Sequence, residues 1–190
     1  MRSLFDGVAL SLAESIVSRL ENAGLDAVVA GGFLRDAALG APAKDIDVFI
    51  PNLGERSTDQ LERTLSGALG MKVAVQCDLS YGEDAEIARV FTEVSDSRLL
   101  VQVIEMAPGI DPLERSSRFD FALCQATYGS RSGLKVSQAF LRDLAHRTCT
   151  LVHCESAQEH ARSMRRWARW QATHPVLSQM TLVDNTGPWL

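Results

Sequence analysis

The chain has 190 residues, 46% of them hydrophobic and 23% charged, with a formal net charge of −5. These values fit one soluble globular domain that can bury a core without disulfide or metal staples. The acidic balance excludes a surface built throughout to attract nucleic acid, so a polynucleotide partner would need a local basic patch. Cys77, Cys124, Cys149 and Cys154 show no CxxC or Cys/His zinc spacing and read as buried thiols of a reducing compartment. His146, His153, His160 and His174 show no metal spacing either. The N-terminus acquires acids too early for a signal peptide, and no apolar run approaches the ~18 residues of a membrane span. A cytoplasmic protein is expected.

Residues 7–23 place Val8, Leu12, Ile16, Val17 and Leu20 on one helical stripe that ends near Gly24. The apolar run 26–30 is halted by Gly31 and Gly32, as a buried strand would be. A short helix over 33–39, closed by Gly40 and Pro42, leads to a strand over 45–50 that Pro51 and Asn52 stop. Ser57 or Thr58 caps a helix that runs to 69, with Gly70 as its stop. Three β-like runs follow at 71–77, 87–94 and 99–106. Consecutive strands after a β-helix-β start predict an α+β fold, a mixed sheet flanked by helices. Residues 118–128 fit either a turn into a strand or a short helix, and periodicity does not decide. Helices are expected over 134–145 and 157–171, then a loosely attached tail over 177–190. The expected organisation is a head over 1–150 with a C-terminal helix and tail over 151–190.

The segment 31–50 carries the chemistry. In a strand, residues two apart project from one face, so Asp45 and Asp47 point together while Ile46 and Val48 enter a core. Two such carboxylates repel unless a cation lies between them, and hard oxygen ligands suit Mg²⁺ or Mn²⁺. Gly31 and Gly32 let the backbone approach a ligand closely, just before a helix N-terminus that favours phosphate. Alone, a D-x-D is common on exposed strand ends and a Gly-Gly pair serves many turns. Their joint spacing makes the signal: glycines and helix for a polyphosphate, aspartates for the ions bridging it.

This block resembles the signature of tRNA nucleotidyltransferases and bacterial poly(A) polymerases, within the DNA-polymerase-β type. That signature is a Gly-Gly-x-x-Arg-Asp turn-helix followed by Asp-x-Asp, here Gly31, Gly32, Arg35, Asp36, Asp45 and Asp47. The likeness continues at Arg118-Phe119-Asp120-Phe121, similar to the family's Arg-Arg-Asp-Phe-Thr, and at 139–144, similar to the segment closing the head domain. It covers roughly 26–150, with the flavour of small phage-type nucleotidyltransferases, which would place the protein in a host's cytoplasm.

The resemblance implies a polymerase-β-like nucleotidyltransferase fold. It also implies transfer of a nucleoside monophosphate from an NTP such as ATP to a hydroxyl acceptor: an RNA or tRNA 3′ end, a small molecule or a protein side chain. Asp45 and Asp47 would hold the metals, and Gly31 and Gly32 would contact the β and γ phosphates. Arg35 would pair with the triphosphate or with Asp36. Lys44 would serve the nucleotide or stand as a solvated turn residue, and Asp120 would orient the nucleotide or cap a helix. The family supplies a third carboxylate from a neighbouring strand, where this sequence has Gln102. Glu105 would replace it only through a bulge or shifted register, with Glu93 as a weaker candidate. The chain stops at residue 190, soon after the head motifs, so CCA addition by this protein alone is not expected. A binding or inhibitory module that keeps the fold without full catalysis is the alternative.

The other informative segment is 158–170. On a helix, Arg162, Arg165, Arg166 and Arg169 fall at i, i+3, i+4 and i+7 and form a basic face, with Trp167 and Trp170 on a neighbouring one. It reads either as an RNA- or phosphate-binding helix, or as an amphipathic helix that packs its tryptophans and solvates its arginines.

Overall fold

The structure, a computed structural model, describes residues 5–76, 85–95 and 97–187. Cys77, at the end of the third expected strand, and the last three residues lie outside the described residues. In chain order the elements are α1 (Gly7–Asn22), β1 (Val28–Ala30), α2 (Gly32–Leu39), β2 (Asp45–Ile50) and α3 (Thr58–Leu69). These lead to β3 (Val73–Val75), β4 (Ile87–Glu93), β5 (Leu100–Met106), α4 (Pro112–Ser117), β6 (Ala126–Gly129) and β7 (Gly133–Val136). The chain then forms α5 (Gln138–His146), β8 (Thr148–Leu151), α6 (Ala157–Thr173) and β9 (Thr181–Asp184).

Among the described residues, seven strands form one sheet in the order β3-β4-β5-β2-β1-β6-β7. β2 and β5 run parallel, and every other neighbouring pair is antiparallel. The fold is therefore α+β with a mixed sheet, as the order of elements predicts. One sheet face packs Val29, Ile46, Val48, Ile50, Val101 and Val103 against the apolar stripes of α1, α2 and α3. The other carries a smaller cluster of Val28, Ala30, Phe49, Val90, Ile104 and Met106, partly covered by Ile110, Leu113 and Phe119. Asp45 and Asp47 alternate with Ile46 and Val48, so they stand on this second, thinner face.

The helix signals act locally, as expected. Ser57 and Gln60 form a capping box, with the Gln60 N–H donating to Ser57 Oγ at 3.3 Å and the Ser57 N–H to Gln60 Oε1 at 3.0 Å. Gly70 closes α3 with φ +70°, a conformation that costs a glycine nothing sterically. Ser57→Ala is expected to cost about 1 kcal/mol of stability, read as a shifted urea midpoint at unchanged slope.

Two sequence expectations change and one open reading is decided. Residues 133–136 are a strand, not the start of a helix: β7 returns along β6 as a hairpin, and Ser137 accepts from the Phe140 N–H at 3.0 Å to start α5 only at Gln138. Residues 118–128 resolve into a turn, a single 3₁₀ turn over Ala122–Cys124, and β6. The tail is not loose over its described residues, 177–187. Leu177 is fully buried, Met180 nearly so, and β9 pairs in parallel with β8 across α6. Parallel partners need such a crossover, so neither short strand is recognisable by itself. The short α4, capped by Asp111 with Pro112 in its first turn, was also not anticipated.

Candidate active site

Asp45, at the start of β2, is exposed, while Asp47 is half-buried and stands in register between Ala30 of β1 and Gln102 of β5. Asp47 Oδ1 is buried with no hydrogen-bond partner among the described residues. Burial and the neighbouring Asp45 charge push the Asp47 carboxyl up from its ordinary 3.8 to about 7, against a weaker pull downward from Arg166 and Arg35. A carboxylate stripped of water and of donors, beside a second carboxylate, is an arrangement that a hard divalent cation relieves. The donor set fits such an ion. Among the described residues no three His, Cys, Asp or Glu side chains gather around it, so the pair is accompanied by the Gln102 amide position and not by a third carboxylate.

The sign of this strain is testable without any substrate. The unfolded chain releases the Asp47 proton near pH 4, whereas the folded chain holds it to about 7. Metal-free stability therefore falls as pH rises across that window, by at most about 4 kcal/mol. Asp47→Asn is expected to match the wild type at pH 4 and to exceed it by ~2–4 kcal/mol at pH 8 in a chelator. Equal stability gaps at the two pH values, in paired urea titrations, would sink this account.

The turn into α2 lies against the aspartates. Gly31 has φ +81°, and a Cβ placed on it would meet Phe119 Cε2 at 3.5 Å and Asp47 Oδ2 at 4.0 Å. The positive φ is what calls for glycine here, since both distances are ordinary van der Waals contacts. The Gly31 N–H donates to the Ala126 carbonyl at 3.3 Å, and the first helical bond runs from the Arg35 N–H to the Gly31 carbonyl at 3.2 Å. The amides of Gly32 and Phe33 lie between these two bonds, at the positive end of the helix.

Arg35 is nearly fully buried. Its Nε donates to Asp36 Oδ1 at 2.7 Å, its Nη1 lies 3.7 Å from Cys124 Sγ, and its guanidinium stacks 4.5 Å from the centroid of the Trp170 ring. Of its two expected partners, the structure shows Asp36. Lys44 is exposed, and its carbonyl accepts from the Leu100 N–H at 3.1 Å where β2 meets β5. Among the described residues Asp120 caps no helix. It accepts from Ser163 Oγ at 2.6 Å and from Arg166 Nη1 at 2.8 Å, tying α6 to the site.

The basic face of α6 is thus divided. Arg166 turns inward to Asp120, Arg162 lies 3.8 Å from Glu159, and Arg162, Arg165 and Arg169 are exposed. Trp167 is buried and Trp170 packs on Phe121 at 4.9 Å between centroids, so the tryptophans pack inward.

Glu105 stands elsewhere. The β2–β5 ladder is regular from Asp45 opposite Leu100 to Ile50 opposite Glu105, with no bulge to bring that carboxylate round. Glu105 consequently faces the helix-covered side, fully buried, pairing with Arg89 Nε at 2.5 Å and accepting from the Leu53 N–H at 3.0 Å. Glu93 accepts from Ser95 Oγ at 2.6 Å and from the Val101 N–H at 3.3 Å, bracing the β4–β5 connection. Sequence reasoning missed Ser163, Trp170 as the partner of Arg35, and His174, which reaches Asp36 from the far end of α6. No local signal marks His174. Its role exists only once the chain has returned to α2.

No protein-family model matches the sequence, and no curated protein matches it. Solved structures do. The Thermotoga maritima CCA-adding enzyme complexed with tRNA aligns with TM-score 0.63 at 16% identity, over 95% of this chain and 40% of that one. A tRNA nucleotidyltransferase complexed with a primer tRNA and an incoming ATP analogue aligns with TM-score 0.56 at 19% identity, over 88% and 46%. A tRNA-processing enzyme with CTP aligns with TM-score 0.59 at 19% identity, over 88% and 43%. The fold is that of the nucleotidyltransferases. This chain spans less than half the length of each of these proteins. Within the nucleotidyltransferase fold, β1, the Gly31 turn, α2 and β2 form one continuous unit that sets the aspartates beside a helix N-terminus. Among the described residues no helix is long and apolar enough to cross a membrane.

Proposed function

We propose that the protein is a metal-dependent nucleotidyltransferase that moves a nucleoside monophosphate from an NTP to a hydroxyl acceptor, with an RNA or tRNA 3′ end as the favoured acceptor. The observation that carries this reading is the buried, unpartnered Asp47 Oδ1 beside Asp45 and the Gly31 turn. Asp45 and Asp47 would hold Mg²⁺ or Mn²⁺, which when bound neutralises the triphosphate and polarises the acceptor hydroxyl. The Gly31–Gly32 turn and the first amides of α2 receive the β and γ phosphates. Lys44 flanks the entry to the site, and Asp120, braced by Arg166, borders the nucleotide. The exposed Arg162, Arg165 and Arg169 track the phosphates of an RNA acceptor, with the head over 1–150 doing the chemistry and the segment from 151 gripping the acceptor. Solved structures of this fold that contain tRNA or nucleotides support the choice of ligands.

The test incubates the protein with Mg²⁺ or Mn²⁺, each labelled NTP and total cellular RNA, beside the Asp45→Ala/Asp47→Ala double variant. Label transferred by the wild type alone establishes the activity, the nucleotide and the acceptor class together. A second reading, a nucleotide-binding module without turnover, draws on Gln102 opposite Asp47 and on the commitment of Glu105 to Arg89. Calorimetric binding of an NTP with no transfer to any acceptor would select it.

A further inference from the structure

His174 follows α6 and is the last link of a chain of contacts that ends under the phosphate turn. Its ring is almost fully buried. Nδ1 accepts from the backbone N–H groups of Val176 at 3.1 Å and Leu177 at 3.0 Å, so that nitrogen carries no proton. The hydrogen-bond partners thereby assign the proton to Nε2, which lies 3.1 Å from Asp36 Oδ1 and donates to it. The same Asp36 oxygen receives Arg35 Nε at 2.7 Å. Arg35 in turn is pressed between Trp170, one helical turn before His174 on the same side of α6, and the turn itself. Its Nη2 lies 3.5 Å from where a Gly32 Cβ would be.

Arg35 is therefore not a loose cation at the mouth of the site. It is a buried plate beside Gly32, held by Asp36 Oδ1, by the Trp170 ring and by a contact with Cys124 Sγ. Asp36 is buried, and the bonds from Arg35 and His174 converge on its Oδ1. Its second partner, His174, comes from beyond the end of α6 and is itself locked by two backbone donors.

We propose that His174 is a positioning residue: acting through Asp36 and Arg35, it sets the Gly31–Gly32 turn in the geometry that receives the NTP triphosphate. This rests on the function proposed above only for the identity of the ligand. The aspartates are not touched, so the effect belongs to nucleotide affinity and not to the chemical step.

Two conservative variants separate positioning from mere packing, because each keeps one half of the imidazole. The shorter amide side chain of His174→Asn would offer an oxygen where Nδ1 stands, keeping the Val176 and Leu177 bonds but losing the donor to Asp36. His174→Gln reaches Asp36 with an amide N–H but loses the acceptor for those two backbone groups. The measurements are the backbone amide chemical shifts of Gly31, Gly32 and Phe33, and the dissociation constant and KM for the NTP with Mg²⁺ present. His174→Asn is expected to move the three amide shifts and raise the dissociation constant and KM about tenfold, the factor that about 1.4 kcal/mol represents. Its kcat should stay within about twofold of the wild type, while His174→Gln keeps both the shifts and the affinity at a lower Tm. Unmoved amide shifts in His174→Asn, or the same displacement in both variants, overturn the proposal. If the wild type binds no NTP, the proposed function falls, and the amide shifts alone still decide whether His174 positions the turn.

Discussion

Asp45→Ala with Asp47→Ala is expected to lower nucleotidyl transfer by about 10³-fold or more while the protein stays folded. The size follows from the demand on the pair. Charge stabilisation by a bound divalent ion supplies several kcal/mol to the transition state, and each 1.36 kcal/mol is a factor of ten in rate. Stability should move the other way. Removing the Asp47 carboxylate deletes a buried, unpartnered oxygen whose charged form the fold resists, so the metal-free double variant should be no less stable than the wild type at neutral pH. Loss of activity accompanied by lost or unchanged Mn²⁺ affinity distinguishes the outcomes: lost affinity assigns the pair to the ion, whereas retained affinity moves the metal site elsewhere. A variant that keeps more than a tenth of wild-type transfer removes the aspartates from the chemistry.

Arg35→Met is expected to destabilise the protein by about 3–5 kcal/mol, the range for a buried ion pair that loses one partner. Asp36 is 5% exposed, and without Arg35 the side-chain donor it keeps among the described residues is His174. The stack on Trp170 is lost at the same time. The double variant Arg35→Met/Asp36→Leu should recover part of that loss, because an apolar pair leaves no charge uncompensated. Urea unfolding of both variants reads the result. If Arg35→Met instead unfolds like the wild type but no longer binds NTP, Arg35 contacts the triphosphate directly and is not part of the buried frame.

Much of the centre was legible because it is local. The Gly-Gly turn, the helix behind it and the D-x-D strand lie within twenty consecutive residues, and alternation along a strand is enough to put Asp45 and Asp47 on one face. The strand over 45–50 and the helix between Ser57 and Gly70 carry their own start and stop residues, so their bounds matched closely. The same periodicity stated the problem with Glu105: three residues from Gln102, it needed a bulge, and only the ladder could say that β5 has none beside β2.

What the tertiary structure decided has long sequence separation or depends on a partner. The residues of β7 look helical by composition and become a strand because β6 offers an edge. β8 and β9 are each four residues long and exist as a pair only because α6 carries the chain across between them. Asp120 and Arg166 each read two ways in isolation, as a ligand residue or as a cap or solvated surface residue, and folding paired them with each other. His174 had no pattern to announce it, since its meaning is its contact with Asp36, 138 positions earlier in the chain. Sequence alone determined the elements from α1 to β5 and the pair of carboxylates, because hydrogen bonding and side-chain alternation act over a few residues. The frame that holds them was decided by packing, which joins side chains that share no neighbourhood along the chain.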